Sequence, residues 1–333
     1  MKRRRGIGIF SAVLLLGAMA WLMMRTRDPM FEGKPESHWF TNITYRAEQE
    51  EVDKWKSYGP DGARILIKAL KKGNGPLERS YAKLWPKLPG LVRDRLPGPV
   101  NSTAVRMCAA DMLGRMHDSK LAMPIFMQTL EVEKSEGVRI LLIFRLGQYL
   151  PEMNERQKKK LLPEFLEAMQ SRNWGMRNNA ALALKYYPEQ KEEVVPVLVK
   201  AVRDPQAQVS MVAAESLDII DPQAVVNAGV VPILINLLKD PDQQIAMNAA
   251  RTLGKIRKQL EVVIPTLMEA AQGTNYEVAA SSLDGLADFG AEAKAAVPLA
   301  MATLRHKDGR MRYAAAYALK KIDPEAAAKA GVK

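Results

Sequence analysis

A twelve-residue pattern recurs seven times along this chain, and no other feature limits its fold so tightly. It starts at Val105 (VRMCAADMLGRM), Val138 (VRILLIFRLGQY), Met176 (MRNNAALALKYY) and Val209 (VSMVAAESLDII), then at Ile245 (IAMNAARTLGKI), Val278 (VAASSLDGLADF) and Met311 (MRYAAAYALKKI). Successive starts lie 33, 38, 33, 36, 33 and 33 residues apart. Apolar residues hold offsets 0, 4, 8 and 11, as Ile245, Ala249, Leu253 and Ile256 do, which makes one stripe on a helix. A lone helix of this kind cannot bury its stripe. A repeat of this length means that each unit covers its neighbour.

Proline marks the other half of the unit. Pro163, Pro196, Pro232, Pro265 and Pro298 each stand 13 residues before the next pattern, and Pro124 stands 14 before its own. Proline is tolerated in the first turn of a helix, where its missing N–H has no intrahelical acceptor. Each unit is therefore predicted to be a helix A opening near the proline, a short turn and a helix B. The turns hold Asp204-Pro205, Asp240-Pro241 and Asp308-Gly309, which stop simple continuation and offer an aspartate to cap helix B. The expected fold is all-α, an α-solenoid of about seven helix pairs over residues 61–323. A cap over 324–333 is expected from the echo of DPQAVVNAGV (from Asp221) in DPEAAAKAGV (from Asp323).

The N-terminus reads differently. MKRRR precedes Gly6–Met24, 19 residues without charge, which as a helix would span about 28 Å, close to the hydrocarbon thickness of a bilayer. Lys2 to Arg5 favour a cytoplasmic N-terminus and put everything after Arg27 on the far side, in a periplasm or its equivalent. Arg25 and Arg27 pull the other way. Residues 1–27 are expected to be a single transmembrane signal-anchor of the inner membrane, and 28–60 a linker. Ala18-Met19-Ala20 has the small-x-small form of a cleavage site, so secretion after a cut near Ala20 is the alternative. Trp21–Met24 carry the apolar run through that cut, which favours the anchor. No cysteine comes after the run, which excludes lipoprotein processing.

Charge is concentrated at the same end. Of the net +12, residues 1–27 supply six basic groups and no acidic one; residues 121–333 hold 27 basic and 25 acidic groups. A nucleic-acid groove would need a basic stripe along the repeats, and none is evident. The single cysteine, Cys108, rules out an internal disulfide and a cysteine-based zinc site, and His38, His117 and His306 are scattered. No phosphate loop, dinucleotide fingerprint or His-x-x-x-His pair occurs. Neither catalysis nor a cofactor or metal is expected.

Residues 71–100 interrupt the first unit with seven basic and two acidic groups, Trp85 and five prolines, so one regular helix is excluded. Lys83, Trp85, Lys87, Arg93 and Arg95 are candidates for contact with anionic headgroups or a partner. The plainer expectation is a loop that caps the first repeat.

The helix-A pattern VVPILINLLKD and the helix-B pattern of Val105, Arg106, Ala109, Ala110, Leu113 and Gly114 resemble the HEAT repeat family, in particular its short bacterial form named after phycobilin lyases. The resemblance covers about Ala63 to Asp323. Ser210 and Ala246 depart from it by replacing the arginine. DPMFEGKPESHWFTNI resembles the segment that precedes the solenoid in membrane-anchored HEAT proteins. The resemblance implies that Arg106, Arg139, Arg177 and Arg312 pair with turn aspartates, and that the B helices line the concave face, along which a partner would bind. Offsets 3, 6 and 10 avoid the apolar stripe and mix charge with aromatics. From these rows Tyr186, Glu215, Asn248, Arg251, Asp284 and Tyr317 are candidates to bind a protein or peptide. The expected function is a membrane-tethered, non-catalytic interaction scaffold. A chromophore-lyase-type enzyme or chaperone, implied by the resemblance alone, is the alternative, and a nucleic-acid binder the weakest.

Overall fold

The computed structural model describes residues 29–43, 48–71, 76–94, 101–116 and 119–332. The expected membrane segment Gly6–Met24, together with Arg95 and His117, lies outside them. Among the described residues no helix is long and apolar enough to cross a membrane. The chain is an all-α repeat solenoid with one small hairpin, and its contacts divide it into two compact units that meet in sequence at Arg145 and Leu146.

In the first unit, β1 (Met30–Phe31) and β2 (Lys34–Pro35) form an antiparallel hairpin. Its turn places Glu32 and Gly33 at φ 47° and 72°, the left-handed pair that matches strand twist. Then come α1 (Glu36–Thr41), α2 (Gln49–Ser57) and α3 (Gly59–Lys71). The stretch expected to be a linker is thus folded. Phe31, Trp39, Trp55 and Tyr58 meet edge to face, with ring centroids 5.1–5.8 Å apart. Glu36 is buried and held by Arg64 Nη1 and Lys68 Nζ, both at 2.8 Å. Aromatics scattered along the sequence gather at one place and, with this ion cluster, anchor the segment on α3.

The insertion is helical in part. It holds α4 (Pro76–Leu84), a 3-10 turn at Trp85–Lys87 and the short α5 (Gly90–Arg93), broken at its prolines. Three further helices are α6 (Ser102–Arg115), α7 (Ser119–Val132) and α8 (Glu136–Tyr149). Helix α3 packs on α6 as the first A–B pair.

The second unit continues with α9 (Glu155–Ala168), α10 (Trp174–Leu184), α11 (Lys191–Ala201), α12 (Ala207–Ile220), α13 (Pro222–Asn227) and α14 (Val230–Leu237). It ends with α15 (Gln243–Ile256), α16 (Leu260–Ala270), α17 (Tyr276–Asp288), α18 (Val297–Thr303), α19 (Gly309–Ile322) and α20 (Pro324–Lys329). The B helices α10, α12, α15, α17 and α19 pack each against the next in sequence order, and A helices back them. Every predicted B pattern in the chain falls on a helix. In α20, Ala327 is buried against Ala300 and Leu319.

Burial on helix B is wider than one stripe. In α15 the side chains of Ala246, Ala249, Ala250, Thr252, Leu253 and Ile256 are all buried, whereas Ile245 is only half-buried. A helix flanked by a B helix on each side and an A helix behind has three faces to cover.

The prolines correct another expectation. Pro124, Pro163, Pro196 and Pro265 lie inside their helices, not in the first turn; Pro232 and Pro298 alone sit near the start. An interior proline removes one intrahelical hydrogen bond. The four interior prolines are exposed, so water can reach the carbonyl left without an N–H.

The turn aspartates divide their work. Asp308 caps α19 by accepting from the Arg310 amide, and Asp242 caps α15. Asp204 and Asp240 instead accept from the amides of Gln206 and Asp242, two residues on, and shape the turn before the helix. Two of the offset-1 arginines, Arg106 and Arg177, are more deeply placed than exposed ion pairs. Arg177 grips Asp204 with Nε and Nη2 at 2.6 and 2.8 Å, and Arg106 Nη1 meets Glu133 at 2.5 Å. Arg139 and Arg312 reach carbonyls, Leu130 O and His306 O, at the preceding turn. Arg106 and Arg177 each reach the turn of the following unit, and the acidic partner is not always an aspartate.

Candidate functional site on the B-helix face

Helices α12, α15, α17 and α19 present to solvent the side that no A helix covers. Their charged residues are sorted by helix. Helix α12 carries only acids (Glu215, Asp218), α15 only bases (Arg251, Lys255), α17 only acids (Glu277, Asp284, Asp288), and α19 only bases (Arg310, Arg312, Lys320, Lys321). Each B helix therefore faces a neighbour of opposite sign. Read one offset at a time, the same residues look like an irregular mixture.

Several of these charges are spent between neighbours. Glu215 accepts from Lys255 Nζ at 2.9 Å and from Thr252 Oγ1 at 3.1 Å. Lys258, just past α15, lies 3.3 Å from Asp218, and Arg310 pairs with Glu277. Arg251 and Asp284, on adjacent helices, make no hydrogen bond or ion pair among the described residues. Burial raises the Asp284 carboxyl; the nearby Arg251 charge lowers it less, and Asp288 raises it further.

These two residues line one cleft of about 340 Å³ between α15, α17 and α19, with Glu277, Ser281, Arg310 and Tyr313. Ser281 is 1% exposed and its hydroxyl has no partner. Tyr313 stands 75% exposed beside the cleft, and Tyr317, one turn on along α19, is 39% exposed. The Lys321 ammonium lies 5.8 Å from the Tyr317 ring centroid.

Of the six residues predicted for this face, Arg251 and Asp284 are thus brought into one cleft, and Tyr317 flanks it on the same helix as Tyr313. Glu215 is occupied by Lys255. Asn248 accepts from Gln244 Nε2 at 3.1 Å and faces Gln208 at 3.5 Å. Tyr186 lies past α10, its ring 5.0 Å from the Lys185 ammonium, apart from the cleft. The offset-6 row also fails at Asp111, which is buried and taken by Arg145 Nη2 at 2.5 Å. Glu277, Ser281, Arg310 and Tyr313 are absent from the predicted set. Carrying the 3, 6, 10 row one turn back, to the residue before each pattern, finds Glu277 and Arg310.

In the insertion, Lys83, Lys87 and Arg93 are exposed and Trp85 is half-buried edge-on to Tyr81 at 5.6 Å. Leu84 and Leu91 are exposed beside them, Leu91 at 81%. Burial raises the half-buried Cys108 thiol, helped by Asp111, which leaves it without thiolate character near neutral pH. Among the described residues no group of three His, Cys, Asp or Glu side chains could hold a metal ion.

Known proteins share this architecture. A family model described as HEAT repeats matches residues 123–218 and 264–330, and one described as an armadillo/β-catenin-like repeat matches 221–257. Together the matched stretches take up more than half of the chain. No curated protein matches it in sequence. Among solved structures, an engineered protein is similar at a TM-score of 0.48 and 18% identity over 88% of this chain and 86% of its own. A designed armadillo repeat protein in complex with the peptide (KR)4 gives 0.42 and 17% over 60% and 99%. The phycocyanin lyase complex of Nostoc gives 0.37 and 25% over 49% and 65%. With these matches following one another along the sequence, the chain is a helical-repeat protein of the HEAT/armadillo type.

Proposed function

We propose that this protein is a non-catalytic scaffold whose B-helix face, over α12, α15, α17 and α19, binds a polypeptide partner. One observation carries the reading: Tyr313 and Tyr317 stand exposed beside a cleft in which Arg251 and Asp284 make no hydrogen bond or ion pair among the described residues. Tyrosine and arginine dominate the energetics of protein interfaces. Alternating acidic and basic helices speak against a nucleic-acid groove, which would be basic throughout. The scaffold is held at the inner membrane by Gly6–Met24, with its repeats on the extracytoplasmic side; the basic residues before that segment support this orientation.

Site-specific photo-crosslinking in native membranes tests the binding face. A discrete crosslinked protein is expected from Tyr317 and none from Glu269, an exposed position on the A helix α16. Crosslinks of equal yield from both positions would sink the reading. A second reading places the partner contact on the insertion, where Leu91 is exposed among Lys87 and Arg93. A crosslink from Trp85 with none from Tyr317 would favour it. Protection of residues after Arg27 from protease in intact cells, lost on opening the outer compartment, is the outcome expected for the membrane topology.

A further inference from the structure

We propose that the cleft between α15, α17 and α19 is a receptor for a side-chain carboxamide, a glutamine or asparagine of the bound polypeptide. The proposal rests on the B face being the binding surface and names what that surface recognises.

Charge complementarity selects this chemistry. Two of the cleft's charged groups, Arg310 and Glu277, already pair. The other two, Arg251 and Asp284, have opposite sign and do not touch. The lining is neutral as a whole. A lysine or arginine guest would satisfy Asp284 but bring a second cation beside Arg251, and a glutamate guest would do the reverse. The glutamate case sets two negative charges side by side at the half-buried Asp284, which is costly, while the lysine or arginine case crowds two positive charges at the exposed Arg251. A neutral group with an acceptor at one end and donors at the other meets both. A carboxamide oxygen accepts from the Arg251 guanidinium, while its NH2 donates to the Asp284 carboxylate and to Ser281 Oγ.

Ser281 is the independent sign of a guest. Ser281 lines the cleft, and its buried hydroxyl lacks a hydrogen bond, whereas buried hydroxyls ordinarily find one. Ser282, its neighbour on α17, bonds the Val278 carbonyl at 2.9 Å, so the helix itself offers such a partner. Depth selects a side chain over a main-chain amide. Ser281 and Ala314 at the floor are buried at 1% and 3%, while Tyr313 projects at 75%. A backbone crossing above Tyr313 reaches that floor only through a side chain. The cleft's roughly 340 Å³ is several times the ~30 Å³ of one liquid water, so a five-atom side chain fits. The raised Asp284 carboxyl agrees with an acceptor short of donors.

The test uses the full chain, nitrogen-15 labelled, in detergent micelles, titrated with acetyl-Gly-Gly-X-Gly-Gly-amide where X is Gln, Asn, Glu, Lys or Leu. The Gln and Asn peptides are expected to shift the amide signals of Ser281, Asp284 and Tyr313, with affinity at least ~tenfold above the other three, as loss of a paired polar contact implies. Arg251→Ala and Asp284→Ala should each remove the preference, with Ser281→Ala as the milder variant that keeps both charges and folding intact. Tighter binding of the Glu or Lys peptide, an equal response to all five, or no response to any at 10 mM, an excess over weak binding of ~1 mM, would overturn the proposal. Crosslinking separates the two levels. If Tyr317 still captures its partner from the Arg251→Ala/Asp284→Ala double variant with unchanged yield, the carboxamide pocket fails and the scaffold stands.

Discussion

Tyr187 shows what a single atom contributes. Its ring is fully buried, 6.1 Å from Phe165 at an interplanar angle of 62°, and its hydroxyl has no partner. Burial, with a smaller push from Glu155, lifts its ionisation far above that of free tyrosine. Tyr187→Phe keeps the ring and removes a desolvated polar atom, so a gain of up to ~1 kcal/mol is expected in urea unfolding; a loss of that size would reveal a bond at the hydroxyl. Asp204 behaves oppositely. Burial alone would raise its carboxyl, but the Arg177 hydrogen bonds, the Gln206 amide and the Arg177 charge together hold it below its ordinary value. A depressed carboxyl stabilises the fold above the ordinary carboxylate range, and that stability is lost as pH falls through the lowered value. Arg177→Ala is therefore expected to cost about 3 kcal/mol at pH 7, because the pair is largely buried. The cost should shrink below about pH 4, where the unfolded chain begins to protonate. A cost independent of pH would assign the effect to Arg177's bonds to Ser171 and Arg172 carbonyls instead.

Between elements, the same residue type serves different ends. Gly114, Gly147 and Gly254 share one place in the repeat and look equivalent in sequence. A Cβ at Gly254 would stand 2.6 Å from Gly285 Cα and 2.7 Å from its carbonyl oxygen, so α15 and α17 cross with backbone in contact. At Gly114 it would meet Arg145 at 2.6 Å, the side chain on its way to Asp111. At Gly147 it would meet only the Ala183 Cβ, at an ordinary 3.5 Å. Gly254→Ala is accordingly expected to destabilise by about 1–3 kcal/mol, since two backbones must part. Gly147→Ala should be neutral or gain up to ~1 kcal/mol from helix propensity. Paired thermal melts check both, and equal shifts would mean that the crossing at Gly254 yields easily. The alternating charges act at this scale too. The pairs Lys255–Glu215 and Arg310–Glu277 join consecutive B helices of opposite sign.

At the scale of the molecule, stability in a repeat array is a sum of units and their interfaces. Leu253 is fully buried in α15, between α12 and α17. Leu253→Asp puts an unpaired charge there and is expected to abolish cooperative unfolding of the second unit. Hydrogen exchange should show α12, α15 and α17 losing protection together; protection unchanged in α17 would mean that the repeats fold independently. The helix pairs and the apolar stripe of helix B were legible in the sequence, because a 3.6-residue period and a repeat near 33 residues are properties of neighbouring positions; the wider burial of helix B was not, since it comes from the helices on either side. The interior placement of Pro163 and Pro196 was not legible, since helix A extends before its proline by packing and not by propensity. Nor was the folding of residues 29–43, whose Phe31 and Trp39 find Trp55 and Tyr58 only in space. The site was half legible. Arg251 and Asp284 stand on the predicted rows beside Asp111, which is equally polar. Tertiary structure alone decided that Asp111 is consumed by Arg145 while Asp284 is left open beside Ser281. The reason is physical: whether a charge is spent or available depends on distances of a few ångströms between residues some 34 positions apart, and packing sets those distances.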